Sequence, residues 1–188
     1  MRVCGWASTP MPATQEITES LIRDNIVRAV DDVFRTMLDS EAVLKPAEEV
    51  SHAGWPAAGD EASPGPAETH VVGTVGFLGD ANGLLYLYLE ESFARLCTCA
   101  MLGMSEREIA GIGEAAVNDA VGELTNMIVG SFKNGLCSAG YSCKLTIPSI
   151  LRGRNFCIEP ISSAERNVYS FDCAGRRLVA DIFMKADN

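Results

Sequence analysis

The stretch Gly113–Cys137, GEAAVNDAVGELTNMIVGSFKNGLC, carries the longest helical pattern in a chain of 188 residues. With Val117 placed at zero and about 100° allowed per residue, Val117, Ala120, Val121, Leu124, Ile128 and Ser131 fall within about 60° of one line. That line is the expected core stripe. On the same wheel Asn126, Asp119, Gly130, Lys133 and Glu123 lie between about 160° and 240°, on the far side. Asp119, Glu123 and Asn126 stand at i, i+4 and i+7, so they line up along two turns. Two like charges at i, i+4 cost a helix about 0.2–0.5 kcal/mol. Gly122 and Gly130, beside the polar group, each cost up to about 1 kcal/mol against alanine. A face built for stability would favour Glu–Lys pairs and alanine. This one leaves its polar tips unobstructed, so that another molecule can lie flat against them. Taken alone, an acid–amide pattern on a helix also fits plain solvation.

Working outward, residues 1–13 read as a loose tail. Residues 14–39 read as a helix, with apolar residues at Ile17, Leu21, Ile22, Ile26, Val30, Val33, Phe34 and Met37 and with Thr14 as its cap. Residues 45–68, KPAEEVSHAGWPAAGDEASPGPAE, are too rich in proline, glycine and alanine for regular pairing. They are expected to be a mobile internal loop, with a short strand near Glu49–His52. His70–Gly79 and Gly83–Glu90 form a β-hairpin around Asp80-Ala-Asn-Gly83, in which Asn82 and Gly83 are suited to positive φ. Gly73 and Gly76 within it mark bulges or close backbone approach. Glu91–Leu102 is a second helix, stopped by Gly103, and Ser105–Gly111 is a polar connector with room for a helical turn. After the central helix the pattern turns extended. Strands are expected at Tyr141–Ile147, ended by Pro148, and at Arg154–Glu159, then a hairpin of Val168–Cys173 and Arg177–Met184. The order predicts an α+β fold, with long helices packed against a mainly antiparallel β-sheet, and residues 1–188 forming a single domain.

The formal charge of −10 opposes binding to nucleic acid or anionic lipid and suits a partner with exposed basic groups. No apolar run is long enough for a membrane span, and the first residues lack the apolar core of a secretory signal. The seven cysteines form no CxxC pair, so reduced, mostly buried thiols in a cytoplasmic protein are expected. GIGEAA (Gly111–Ala116) follows a polar segment where a dinucleotide site requires a strand. Asp119 and Glu123 lack a third ligand, so no metal site is expected on this chain. Tyr86 and Tyr88 alternate with leucine and read as sheet surface.

Asp119-xxx-Glu123-xx-Asn126, then 21 residues, then Pro148, resembles the signature of the CheC/CheX/FliY phosphatases of bacterial chemotaxis. The strings GELTNMIVG, GDANGLLYLYLE and ARLCTCAMLGM look most like the CheX branch, and the likeness extends over roughly residues 14–184. The resemblance implies a CheX-like fold and hydrolysis of the aspartyl-phosphate of a CheY-like response regulator. Asn126 would orient the attacking water and Glu123 would contact the regulator's lysine. Asp119, Gly122, Gly130 and Lys133 would face the partner. Mg²⁺ would be supplied by the regulator, the chain having no cofactor of its own. Helix 1 has no ExxN in register, so one site is expected. The branch also implies a homodimer. The alternative is a non-catalytic CheX-like module that binds a receiver domain or a flagellar-switch component without hydrolysis.

Overall fold

The apolar rhythm at Ile22, Ile26, Ala29, Val30, Val33 and Phe34 becomes the buried face of helix α1 (Glu19–Leu38). Thr18 caps it, its side chain accepting from the Leu21 N–H at 3.3 Å. The computed structural model describes residues 17–46, 69–154, 158 and 164–185. The proposed Thr14 cap, the loose tail, the strand near Glu49–His52 and nearly all of the 45–68 loop lie outside them. After α1 come β1 (Val43–Leu44), β2 (His70–Gly79), β3 (Gly83–Glu90) and α2 (Glu91–Leu102). A short 3-10 helix (Glu106–Gly111) fills the connector, tied by a capping box between Ser105 and Glu108. Helix α3 (Glu114–Ser138) follows, then β4 (Cys143–Leu145), β5 (Ser149–Gly153), β6 (Ala164–Cys173) and β7 (Arg176–Lys185).

The strands form one seven-stranded sheet in the order β1-β6-β7-β3-β2-β4, with β5 also paired to β2. Every described pairing is antiparallel. Helices α1, α2 and α3 bury their apolar faces together with Val71, Val75, Phe77, Leu85, Leu87, Leu89, Leu178, Ala180 and Ile182 of the sheet. This is the α+β arrangement that the sequence predicts. The β2–β3 turn closes differently from expectation. Neither Asn82 nor Gly83 has positive φ. Instead, the Asn82 side chain accepts from the Gly79 N–H at 3.2 Å and donates to the Gly79 carbonyl at 3.0 Å. At the β6–β7 turn, Ala174 and Gly175 do take positive φ, of 53° and 78°.

Pro148 does not end a strand. Phe77 pairs with Leu145, Gly76 bonds Thr146, and pairing resumes at Thr74 with Ser149. Between them Val75 faces two residues, Ile147 and Pro148, which is a β-bulge. β4 and β5 are thus one interrupted edge strand, and a proline suits the bulge because no ladder bond needs its missing N–H. The expected strand at Arg154–Glu159 begins just after β5 ends, and most of it lies outside the described residues. On the sheet face away from the helices, Val72, Tyr88 and Val179 form a second buried cluster joined by Tyr86 and Ile158. Tyr88 is therefore interior, contrary to the surface position expected for it. Burial pushes its phenol well above the ordinary tyrosine range, with the nearby Asp181 charge adding to the effect.

Candidate active site on helix α3

Helix α3 buries Val117, Val121, Leu124, Thr125, Ile128, Val129, Phe132 and Leu136. On the wheel this arc spans about 140°, wider than the expected stripe and turned toward Phe132 and Leu136. Ala120 and Ser131, read as core, are only half-buried. The shift arises because α3 packs against both β2 and α1. Gly73 of β2 sits under Thr125, where a Cβ would collide with the threonine side chain. This is the close backbone approach predicted for that glycine. The Thr125 hydroxyl donates to the Val121 carbonyl at 2.6 Å, which satisfies it inside the core.

The N-terminal end of α3 is fastened by two arginines. Arg95 of α2 donates to the Ile112 carbonyl at 2.7 Å and bonds Glu91 at 2.8 Å. Arg152 of β5 approaches the same Glu91 oxygen at 3.3 Å and donates to the Asn118 side-chain oxygen at 2.9 Å. The Arg95 hydrogen bond, aided by the Arg152 charge, holds the Glu91 carboxyl below its ordinary value. Helix α2, the start of α3 and the edge strand are thus locked together at the beginning of the polar face.

That polar face is open. Asp119 and Glu123 are exposed, and Asn126 is half-buried at its margin. Among the described residues, none of these three side chains makes a hydrogen bond or ion pair. A Cβ at Gly130 would meet nothing within 4 Å, so the surface there is bare backbone. Gly122 differs, because its Cβ position faces Ile150 Cδ1 at 3.9 Å, and it therefore borders β5. Lys133 is half-buried and close enough to Cys143 for its charge to oppose, in part, the upward push of burial on that thiol. The structure thus brings Asp119, Glu123, Asn126 and Gly130 onto one accessible face and puts Gly122 and Lys133 at its border. Among the described residues, no group of three or more histidine, cysteine or acidic side chains is placed to hold a metal ion.

Sequence reasoning missed the bulge and the place of Pro148 in it. Asn118 bonds Arg152, and Gly122 faces Ile150. Helix α3 touches both β4 and β5, so the bulge that holds Pro148 lies alongside the helix.

Residues 71–172 match the model of the CheX chemotaxis phosphatases. The chain belongs to this family. Similar solved structures include CheX from Vibrio vulnificus, at 20% identity over 93% of this chain and 100% of that one, with a TM-score of 0.67. A CheC-like superfamily protein from Shewanella sp. PV-4 is 25% identical over 90% of this chain and 100% of that one, with a TM-score of 0.67. CheX in a CheX–CheY–BeF3–Mg²⁺ complex from Borrelia burgdorferi is 20% identical over 88% of this chain and 98% of that one, with a TM-score of 0.63. No curated protein matches the chain. No helix among the described residues is long and apolar enough to cross a membrane, and this CheX-family chain carries Asp119, Glu123 and Asn126 along one face of α3.

Proposed function

We propose that this CheX-family chain hydrolyses the aspartyl-phosphate of a CheY-like receiver domain, with Glu123 and Asn126 as the residues that act. The observation that carries the reading is the accessible Glu123–Asn126 pair, free of internal partners and one turn apart on a helix locked at its start. In the reaction a water attacks phosphorus in line, the bond to the receiver's aspartate breaks, and phosphate and a free carboxylate leave. Phosphoryl transfer asks mainly for positioning and charge stabilisation. An amide has both an acceptor and donors, so Asn126 fixes the direction of the water without removing its proton. Glu123, an acceptor only, takes a hydrogen bond from the receiver's lysine ammonium and sets the register of the complex. Mg²⁺ would be held by the receiver, with no ligand from this chain, and would supply charge neutralisation at the phosphoryl oxygens. Asp119, Gly122, Gly130 and Lys133 form the contact surface around the pair. We place the work in the cytoplasm and in a homodimer, whose mass light scattering would test.

The test is the decay of each phosphorylated CheY-like receiver of the source organism. Asn126→Ala should slow it on the order of 100-fold while the complex with the receiver still forms. A folded Asn126→Ala variant as fast as the parent sinks the mechanism. Binding without any acceleration by the parent protein would instead identify a docking module.

A further inference from the structure

The bulge leaves one residue without a structural purpose. Ile147 is 88% exposed, more than any other large apolar side chain among the described residues. Its neighbours are accounted for. Thr146 donates its N–H to Gly76 and accepts from the Gly76 N–H at 2.9 Å, and Pro148 is half-buried. Leu145 and Ile150 pack against the main core. Ile147 shares with Pro148 the place opposite Val75, whose side chain lies in the core beneath the helices. The bulge therefore sits on the helix-covered side of the edge strand, between β4 and β5, both of which contact α3. An isoleucine held in water next to a polar face forgoes burial that a complex can recover.

We propose that Ile147 is a docking residue for the receiver domain, the apolar anchor that seats it against the α3 face. The inference rests on the phosphatase reading of that face. A receiver that brings its phosphoryl group to Asn126 must also cover the rim of the site, and the bulge is the rim on the sheet side. Charged contacts such as Glu123 to a lysine steer encounter and fix register. Affinity in such interfaces is concentrated in a few side chains that lose their water on binding, and Ile147 supplies one at the edge of the site. It touches the partner without touching the reacting atoms, so it governs KM and leaves kcat alone.

The experiment compares Ile147→Ser, Ile147→Val and Asn126→Ala in the full chain, by steady-state dephosphorylation and by binding to the BeF3-loaded receiver. Ile147→Ser should raise KM and Kd about tenfold, with kcat within twofold of the parent and Tm unchanged, and Ile147→Val should restore most of the affinity. If Ile147→Ser matches the parent while Asn126→Ala stops turnover, the docking role is wrong and the phosphatase reading stands. If kcat or Tm falls with KM unchanged, the residue is structural and the proposal fails. If Asn126→Ala is as fast as the parent, the reading beneath it has failed first.

Discussion

Replacing Gly73 with alanine tests how the sheet sets the height of helix α3. The added carbon would lie 2.9 Å from Thr125 Cβ and 3.2 Å from Thr125 Cγ2, and nearer still to the hydroxyl oxygen. Carbon atoms prefer about 3.5–4.0 Å, so the helix stands roughly 0.6–1 Å too close for the new methyl. Rotating Thr125 clears the hydroxyl and costs its bond to Val121, but it does not move Cβ, which is fixed to the helix backbone. The helix must rise. Overpacking of this kind costs about 1–3 kcal/mol, and the clash at Cβ argues for the upper half of that range. A glycine-to-alanine change free of strain would instead stabilise by about 0.4–1 kcal/mol through the unfolded chain, so the sign is diagnostic. For a chain of this size Tm should fall by roughly 4–12 °C. Urea unfolding measures the free energy, and receiver dephosphorylation should fall with it, because Asn126 follows Thr125 directly. Thr125→Ala removes the hydroxyl and Cγ2 but keeps Cβ, so it should return part of the loss when combined with Gly73→Ala. A Gly73→Ala variant within about 0.5 kcal/mol of the parent, or a double variant with strictly additive losses, would refute this account of the contact.

Arg166 bonds both oxygens of Asp181, at 3.0, 3.2 and 2.7 Å, and Asp181 is only 1% exposed. Burial raises the Asp181 carboxyl above its ordinary 3.8 against the pull of Arg166. Arg166→Ala should therefore cost roughly 3 kcal/mol near neutrality. A group with a raised folded pKa favours folding below its unfolded value and loses that contribution as pH rises through the folded one. The deficit of the variant should accordingly shrink as pH is lowered toward about 4, which urea titrations at several pH values will show. Among the described cysteines, Cys137 is exposed while Cys97, Cys99, Cys143 and Cys173 are buried. Burial pushes the Cys97 thiol up to about 12. Iodoacetamide at pH 8 should label Cys137 in the native protein and reach the four buried thiols only on unfolding, as peptide mapping will reveal.

Much of this was legible because local pattern and tertiary context agree. The α3 pattern at Gly113–Cys137 became a helix one residue along, and the β2–β3 hairpin kept its predicted limits. Gly73 was readable as either a bulge or a close approach, because few other features require glycine within a strand, and the structure decides for the approach. The errors share a cause. Which apolar side of α3 is buried depends on α1 and β2 together, so Val129, Phe132 and Leu136 were missed by a wheel fitted to its first turns. Tyr88 looked like surface because alternation says which side a residue takes and not whether that side is covered. Pro148 read as a terminator because a bulge requires knowledge of the opposing strand. Asp119, Glu123 and Asn126 could be placed on one face from sequence because residues three and four apart on a helix need no partner element to be neighbours.

The bulge also acts as a correction to the reading frame of the sheet. Leu145 and Ile150 both face the main core, and Arg152 reaches Asn118 and Glu91 from that same side. Their numbers differ in parity, and on an unbroken strand odd and even positions look in opposite directions. The supernumerary residue between Thr146 and Ser149 restores the match. Deleting one residue there would leave Leu145 and Ile150 four apart, so a regular strand without the bulge would still turn Ile150 and Arg152 to the core and keep the arginine clasp on α3. Deleting two would leave them three apart, and an unbroken strand would then turn Ile150 and Arg152 outward and undo the clasp. At this edge an even separation pairs as a plain strand, and an odd one requires the bulge.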